Sequence, residues 1–272
     1  MHDVELSESA KNMRKNVLET AYMCGIGAHL GGSLSLIDIL AVLYGSTMNC
    51  KDHTMSSEYR DKFILSKGHG ALGLYTALAE FNIISKPLLK SFQKNGTDFS
   101  GLPIMNTELG IEISSGSLGL GLSMGVGLAL SAKKKNRPYK TYVLCGNGEC
   151  NEGSVWEAVM SAVNFGLDNL TVIVDNNGMQ SDGDSKGIMN VRSLRDSFDS
   201  FGFDAVSIDG HDIHAMRNAF CRPSNNGNPR AFIAETIKGK GISFMENNGA
   251  WHHNRLTETQ YVQALAELED SV

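Results

Sequence analysis

The chain has 272 residues, of which 42% are hydrophobic and 20% charged, a balance typical of a globular protein that can bury a sizeable core. Its net charge of −6 disfavours nucleic acid as a partner, because the largest basic cluster is the KKK run at 133–135, which is expected to close a helix. The five cysteines are odd in number and form no C-x-x-C pair, so neither a disulfide framework nor a zinc site is expected.

The N-terminal residues are polar and acidic, which is unlike a signal peptide. No apolar stretch is expected to reach the roughly 18 residues needed to cross a membrane. We therefore expect a cytoplasmic protein without a membrane partner. Ser7 is predicted to cap a first helix, in which Ala10, Met13 and Val17 recur at helical spacing. A second helix is predicted over the segment SLIDILAVLYG.

Beyond this segment, predicted strands and helices alternate. The strands are predicted at 62–66, 139–145, 170–175, 204–208 and 230–236. The helices are predicted from the GHG motif to Phe81, at 116–135, at about 152–165, from about 191 and near 212–220. This alternation predicts an α/β fold with a parallel sheet and helices on both faces. We interpret residues 1–272 as a single domain, with 222–230 as a surface loop.

A glycine turn and an asparagine pair follow consecutive predicted strands. The turn G-N-G occupies 146–148, and Asn176 with Asn177 follows the next strand. The intervening segment 149–175 can hold one helix and one strand, so the two loops are expected to be neighbours at the carboxyl edge of the sheet. The glycines allow close approach to a phosphate, and the following helix offers its N-terminal N–H groups. The pattern predicts a diphosphate site.

The segment GECNEGSVWEAVMSAVNFGLDNLTVIVDNNGMQSDG resembles the thiamine diphosphate signature of the transketolase family. The blocks SLSLIDILAVLYG, LSKGHGALGLYTAL, SSGSLGLGLS and ETIKGKGISFMENNGAWH resemble further parts of the family's N-terminal domain, in the same order. The resemblance covers nearly the whole chain and implies the thiamine diphosphate-binding (PP-type) fold. Because the family's pyrimidine-binding and C-terminal domains have no counterpart here, it implies one subunit of a two-subunit transketolase.

The resemblance implies thiamine diphosphate-dependent transfer of a two-carbon ketol unit from a ketose or ketose phosphate to an aldose. It implies Mg²⁺ as second cofactor, and activity only with a partner subunit that carries the missing domains and the activating glutamate. The glycine-rich helix at 116–135 and the helix after Gly153 are expected to contact that partner, in a heterotetramer with two copies of each chain.

The family's site residues carry over to matching positions. The metal ligands correspond to Asn147, Asn177 and the backbone carbonyl of Met179. The remaining cofactor contacts correspond to Gly116, Ser117, Leu118 and Gly148, with His69 and His252 lining the cofactor and substrate channel. His29 corresponds to a histidine near the substrate hydroxyls, and together the three histidines are candidates for acid–base catalysis. Glu152 corresponds to an acid that links paired active sites, whereas His253 matches no family residue.

Two positions depart from the family pattern. Asn147 stands where the family has a metal-binding aspartate, so one negative charge beside the ion is lost and weaker metal and cofactor binding is expected. Asp175 or Glu149 could compensate through their charge. Leu102 stands where a histidine usually contacts the ketol substrate, and, as a milder change, Leu30 replaces a proline beside His29. These changes put the standard sugar-phosphate substrate in question.

Two alternatives remain at this point. A catalytically degenerate subunit that scaffolds or regulates an active partner would explain Asn147 and Leu102, whereas the retained histidines favour an enzyme. A 2-oxo acid decarboxylase or dehydrogenase component would share the cofactor signature but not the SSGSLGLGLS and LSKGHG blocks.

Overall fold

The computed structural model describes residues 1–50, 58–224 and 227–270. Within these residues, five parallel strands form one sheet in the order β1-β2-β3-β5-β4. The strands are β1 (Lys62–Leu65), β2 (Thr141–Gly146), β3 (Leu170–Asn176), β4 (Asp204–Asp209) and β5 (Arg230–Glu235). The predicted α/β class and the five predicted strands are confirmed.

The helices alternate with the strands as expected. They are α1 (Asp3–Cys24), α2 (Leu30–Leu34), α3 (Ile37–Val42) with a π-helical turn (Leu43–Thr47) after it, α4 (Ala71–Glu80), α5 (Gly121–Lys134), α6 (Gly153–Asn164), α7 (Ser185–Ile188), α8 (Leu194–Ser200), α9 (Ile213–Cys221) and α10 (Glu258–Asp270). Residues 225 and 226 of the predicted surface loop lie outside the described residues. The KKK run closes α5, as predicted.

The sheet is buried on both faces because successive side chains of each strand point to opposite sides. On β2, Tyr142 and Leu144 join the core formed with α1, α3, α4, α9 and α10, whereas Val143 and Cys145 join the core formed with α5, α6 and α8. This two-sided burial explains the continuous apolar runs of the strands. It also leaves the carboxyl ends of the strands as the edge at which loops can build a site.

Three helix predictions need correction. The first helix begins at Asp3 rather than after Ser7, because the Glu5 carboxylate accepts a hydrogen bond from the His2 N–H at 2.7 Å and caps it earlier. The Ser7 hydroxyl lies inside the helix and donates to the carbonyl of Asp3. The helix expected over 116–135 begins only at Gly121, which leaves 116–120 as a loop. Helix α10 was not predicted.

The small residues of α5 serve close packing against the sheet. A Cβ added to Gly125 would lie 2.3 Å from the Cγ2 of Val143, and one added to Gly121 would lie 2.6 Å from the Cα of Ser66. Larger side chains at these two positions would push the helix off the sheet. Gly127 has open space around its Cα, so it is not a packing position.

The expectation about apolar stretches was wrong. The 18 residues Leu30–Thr47 have a mean hydropathy of 1.4, which by length and composition is enough to cross a membrane. In the structure this window is divided among α2, α3 and the π-helical turn, and 83% of it is buried inside the protein. Buried core helices pass the same test, so the window is weak evidence for a membrane span.

Candidate functional site

The loops that follow β1, β2, β3 and β5 meet in a cleft of about 410 Å³ at the carboxyl edge of the sheet. Its lining consists of Gly32, Lys67, His69, Leu118, Gly146, Asn147, Gly148, Glu149, Asn151, Glu152, Asn177, Met179, Gln180, Ser181, Lys238 and His252. Residues far apart in sequence converge here because parallel strands end at the same edge. The cleft therefore unites the glycine turn, the asparagine loop and two of the three candidate histidines.

The glycine turn and the asparagine loop are neighbours, as their spacing predicted. The Asn147 N–H donates to the carbonyl of Asp175 at 3.2 Å. The Asn147 side-chain amide donates to the Ser185 hydroxyl at 2.6 Å. The Asn177 side-chain oxygen accepts from the Met179 N–H at 3.1 Å, which fixes the turn that carries the Met179 carbonyl. Within the described residues, nothing donates to that carbonyl or to the Asn147 side-chain oxygen.

Asp175 lies under this loop and is fully buried. Its carboxylate accepts hydrogen bonds from the ammonium of Lys67 and the hydroxyls of Ser35 and Thr236, and a weaker one from Asn177 at 3.3 Å. Burial alone would raise the pKa of Asp175, but the adjacent Lys67 charge outweighs it and lowers the pKa. The carboxylate is therefore ionised and committed to Lys67.

Glu149 organises the other side of the glycine turn. One carboxylate oxygen accepts from the Ser66 hydroxyl at 2.5 Å and the Gly119 N–H at 2.9 Å, and the other accepts from the Gly146 N–H at 3.0 Å. Burial raises the pKa of this carboxyl group, and the hydrogen bonds lower it only in part. Glu149 thus joins the ends of β1 and β2 to the loop before α5, where Gly119 adopts a left-handed conformation with φ of +83°.

Four histidines cluster beside the cleft. The ring centroids of His29 and His69 are 4.8 Å apart, those of His29 and His252 are 5.5 Å apart, and those of His69 and His252 are 5.7 Å apart. The exposed His253 packs on His29 at 4.6 Å, a contact that its lack of a family match did not suggest. The three candidate histidines therefore form one group, although they come from three distant segments.

The three candidate histidines are neutral at physiological pH. Burial, followed by repulsion from the neighbouring histidines, lowers the pKa of His29 to about 3. Burial and the Lys238 ammonium lower the pKa of His252 to about 4, and burial with Lys67 and Lys238 lowers that of His69. Neutral imidazoles can accept and donate hydrogen bonds at once, which suits contacts to sugar hydroxyls.

The same histidines have metal-binding geometry, which the cysteine pattern could not reveal. One nitrogen from each of His29, His69 and His252 lies within 4.8 Å of the others. The positive charges of Lys67 and Lys238, however, repel cations as well as protons at this cluster. The field favours an anion or a neutral polyol over a metal ion.

Replacing His29 with glutamine is expected to reduce the loss of stability in acid. The unfolded histidine binds a proton near pH 6.5, whereas the folded one does so near pH 3, so the folded state loses stability as pH falls below 6.5. Glutamine removes this difference. Urea denaturation of both proteins at pH 7.5 and pH 5 measures it. An unchanged difference between the two pH values in the variant would contradict the assignment.

The remaining predicted residues lie around this centre. Leu118 and Glu152 line the cleft, and Glu152 is exposed beside Gly119. Gly116 lies against Leu102, whose Cδ1 is 2.9 Å from where a Gly116 Cβ would be. Ser117 is exposed, and Ser117, Gly116 and His29 are not part of the cleft lining. Leu102 therefore packs against the segment expected to contact diphosphate.

Sequence reasoning missed the two lysines of the cleft. Lys67 follows β1 and Lys238 follows β5, so both stand just beyond the carboxyl end of a strand. The Lys238 ammonium donates to the carbonyl of Gln180 at 2.9 Å and lies 3.2 Å from Nδ1 of His252. A search for charged residues directly after each predicted strand would have found both.

Comparison with known proteins relates this architecture to one family. Residues 8–268 match the family model described as transketolase, thiamine diphosphate binding domain. One of the two subunits of the apulose-4-phosphate transketolase of Phocaeicola vulgatus is 38% identical over 97% of this chain and 94% of its own length. The 6-deoxy-6-sulfo-D-fructose transketolase subunit SqwG of a Clostridium species is 39% identical over 98% of this chain and 97% of its own length.

Longer transketolases are similar over the same region. A crystal structure of transketolase from Campylobacter jejuni superposes with a TM-score of 0.89 at 30% identity, covering 99% of this chain and 43% of that one. Human transketolase is 32% identical over 98% of this chain and 42% of its own length. The chain thus spans less than half the length of these two transketolases and nearly all of the two shorter relatives.

Proposed function

The chain belongs to the transketolase family, where it matches the thiamine diphosphate-binding domain, and we propose that its cleft binds that cofactor's diphosphate together with Mg²⁺. It is one component of a two-subunit transketolase, which is a transferase that moves ketol units between sugar phosphates. The observation that carries the proposed site is the meeting of the glycine turn, the Asn177–Met179 loop and the histidine cluster at one edge of the sheet.

The donor set of the cleft fits a diphosphate bound with a divalent ion. The Asn147 side-chain oxygen and the Met179 carbonyl are available as oxygen ligands, with the Asn177 oxygen beside them. Lys238, Gly148 and the segment 116–118 would contact the diphosphate. When bound, thiamine diphosphate supplies the carbanion chemistry that accepts and releases a two-carbon unit.

The histidines would handle the substrate. His69 and His252 reach the cleft, and His29 packs on both, so all three can hydrogen-bond to the hydroxyls of one sugar. As neutral groups they can take a proton from one hydroxyl and return it to another. Leu102, beside Gly116, would offer an apolar contact where a hydroxyl-binding histidine is usual, which favours a substrate that lacks a polar group at that point.

The partner would cover exposed apolar residues near the cleft. Leu120 and Met124 at the start of α5 are 56% and 52% exposed, and Met160 of α6 is 50% exposed. Apolar side chains exposed on adjacent helices favour a protein interface. We propose that α5 and α6 contact the partner chain, that Glu152 at the start of α6 links paired sites, and that the complex is a cytoplasmic heterotetramer.

Catalysis is expected only from the assembled complex. We predict that the purified chain produces no ketol transfer from any ketose phosphate, and that adding a partner chain with the pyrimidine-binding and C-terminal domains restores it. The measurement is a coupled assay of product formation, with light scattering to give the mass of the complex. Turnover by the chain alone would contradict its dependence on a partner, and a stable monomer in the presence of that partner would contradict the proposed assembly.

A catalytically degenerate subunit is the second candidate, favoured by the neutral Asn147 in the metal site. The same assay separates the two functions. A complex that assembles and binds thiamine diphosphate but transfers no ketol unit, on a panel of sugar phosphates and sulfo-sugars, would support the degenerate role.

A further inference from the structure

The proposed metal site of this chain carries no charge of its own. Its oxygen ligands come from Asn147, Asn177 and the Met179 backbone carbonyl, and all three are neutral. Mg²⁺ in proteins is usually held through one or two carboxylates together with substrate phosphates. Because charged ligands bind roughly twice as strongly as neutral ones, this set holds the ion more weakly than one with an aspartate.

The nearby carboxylates do not make up the deficit. Asp175 is fully buried, and its oxygens are occupied by Lys67 and by two hydroxyl groups. Both oxygens of Glu149 accept hydrogen bonds from the protein, two of them from the N–H groups of Gly119 and Gly146. Glu152 is exposed and contacts Gly119. The compensation by Asp175 or Glu149 that the sequence left open is therefore not supported.

A positive charge is available instead. Lys238 is 2% exposed as a residue and lines the cleft, yet its ammonium contacts only the Gln180 carbonyl and His252. Among the ion pairs of the described residues, none includes Lys238. Burial and repulsion by Lys67 lower its pKa to about 8, so it remains mostly protonated at pH 7. A buried ammonium without a carboxylate partner is a strong site for an anion.

The backbone holds Lys238 in this position before any ligand binds. The N–H of Ile237 donates to Nε2 of His211 at 2.9 Å, which places the other ring proton on Nδ1, 2.7 Å from Asp38. Asp38 is in turn held by Arg14 through two hydrogen bonds. This chain of contacts fixes the residue next to Lys238, so the ammonium needs little rearrangement to meet a phosphate.

We propose that Lys238 performs much of the charge neutralisation that a metal–aspartate pair would otherwise provide, so that the cofactor's diphosphate binds with weak dependence on Mg²⁺. The ligand class is an organic diphosphate. The inference rests on the proposed function, because it concerns the same cleft. It predicts that the neutral Asn147 suits the site: an aspartate there would attract the metal but repel the diphosphate when no metal is bound.

The test is calorimetric titration of thiamine diphosphate into the assembled complex, once with saturating Mg²⁺ and once with EDTA. For the native chain, EDTA should weaken binding by about tenfold or less. Asn147→Asp should tighten binding about tenfold with Mg²⁺ and weaken it about fivefold in EDTA, so the ratio of the two affinities rises to about 500-fold. Lys238→Gln should weaken binding about 100-fold in EDTA but only about tenfold with Mg²⁺.

Lys240→Gln is the matched control, because Lys240 is two residues away, outside the cleft lining, and pairs with Glu246. It should change both affinities by less than about twofold. Equal ratios of the two affinities in the native chain and the Asn147→Asp variant would overturn the inference, as would a native chain that needs Mg²⁺ to bind at all. Failure to bind under both conditions would instead overturn the proposed cofactor site.

Discussion

Replacing Lys67 with methionine is expected to destabilise the chain by about 3–5 kcal/mol, the usual cost of leaving a buried charge without its partner. Asp175 is fully buried and loses its ion pair, while the hydroxyls of Ser35 and Thr236 neutralise no charge. Urea denaturation of the full chain measures the loss. Lys133→Met is the matched control, because its partner Asp168 lies 4.0 Å away at the surface, and it should cost less than about 0.5 kcal/mol.

The pH dependence gives this prediction a sign. In the native chain Lys67 lowers the pKa of Asp175 below 3.8, so the stabilisation is complete above that pH and is lost as pH falls through the folded pKa. In the variant, burial acts alone and raises this pKa, so the variant should gain stability as pH falls from 7 towards 4. A second substitution, Asp175→Asn, should recover part of the loss at pH 7. Additive effects of the two substitutions would contradict the coupling.

Replacing Glu149 with alanine is expected to cost about 3 kcal/mol of stability and to weaken thiamine diphosphate binding about 100-fold. The substitution leaves the Ser66 hydroxyl and the N–H groups of Gly119 and Gly146 without their acceptor, and each unsatisfied buried group costs about 1–3 kcal/mol. Partial entry of water offsets some of that sum. Cofactor binding suffers because Gly119 and Gly146 belong to the two loops that form the diphosphate side of the cleft.

The conservative variant separates charge from hydrogen bonding. Glu149→Gln keeps one acceptor oxygen for Ser66 and Gly119 but turns an amide N–H₂ towards the Gly146 N–H, so an intermediate loss is expected. Glu157→Ala, at an exposed position of α6, is the matched control and should change neither quantity. Denaturation of the chain and calorimetry of the assembled complex give the two readings. Native-like cofactor affinity in Glu149→Ala would show that the loops hold their positions without this carboxylate.

The sequence was sufficient for the sheet because each strand is buried on both faces and is therefore a continuous apolar run. Helix ends were less predictable, since they depend on single hydrogen bonds such as that from His2 to Glu5, which competes with the equally plausible cap at Ser7. Helix α10 was within reach: Tyr261, Ala264, Leu265 and Leu268 recur at helical spacing and pack on the core.

The candidate site was predicted where residues match motifs and missed where they act through charge. The spacing of the glycine turn and the asparagine pair located two loops, and their contact is observed between Asn147 and Asp175. The commitment of Asp175 to Lys67 could not be inferred, because the two are 108 positions apart and meet only through the order of the strands. The charge of the cleft is thus a property of the fold rather than of any one motif.

The packing of α1 against α10 has a consequence for the time at which the fold is completed. Lys11 of α1 donates to the backbone of Glu269, 258 positions later, and the stacked rings of Tyr22 and Tyr261 join the same two helices. At a synthesis rate of about 5–20 residues per second, the apolar face of α1 waits roughly 10 to 50 seconds for this partner. During that interval the face is available to chaperones, and its burial is an event that follows the emergence of α10 from the ribosome.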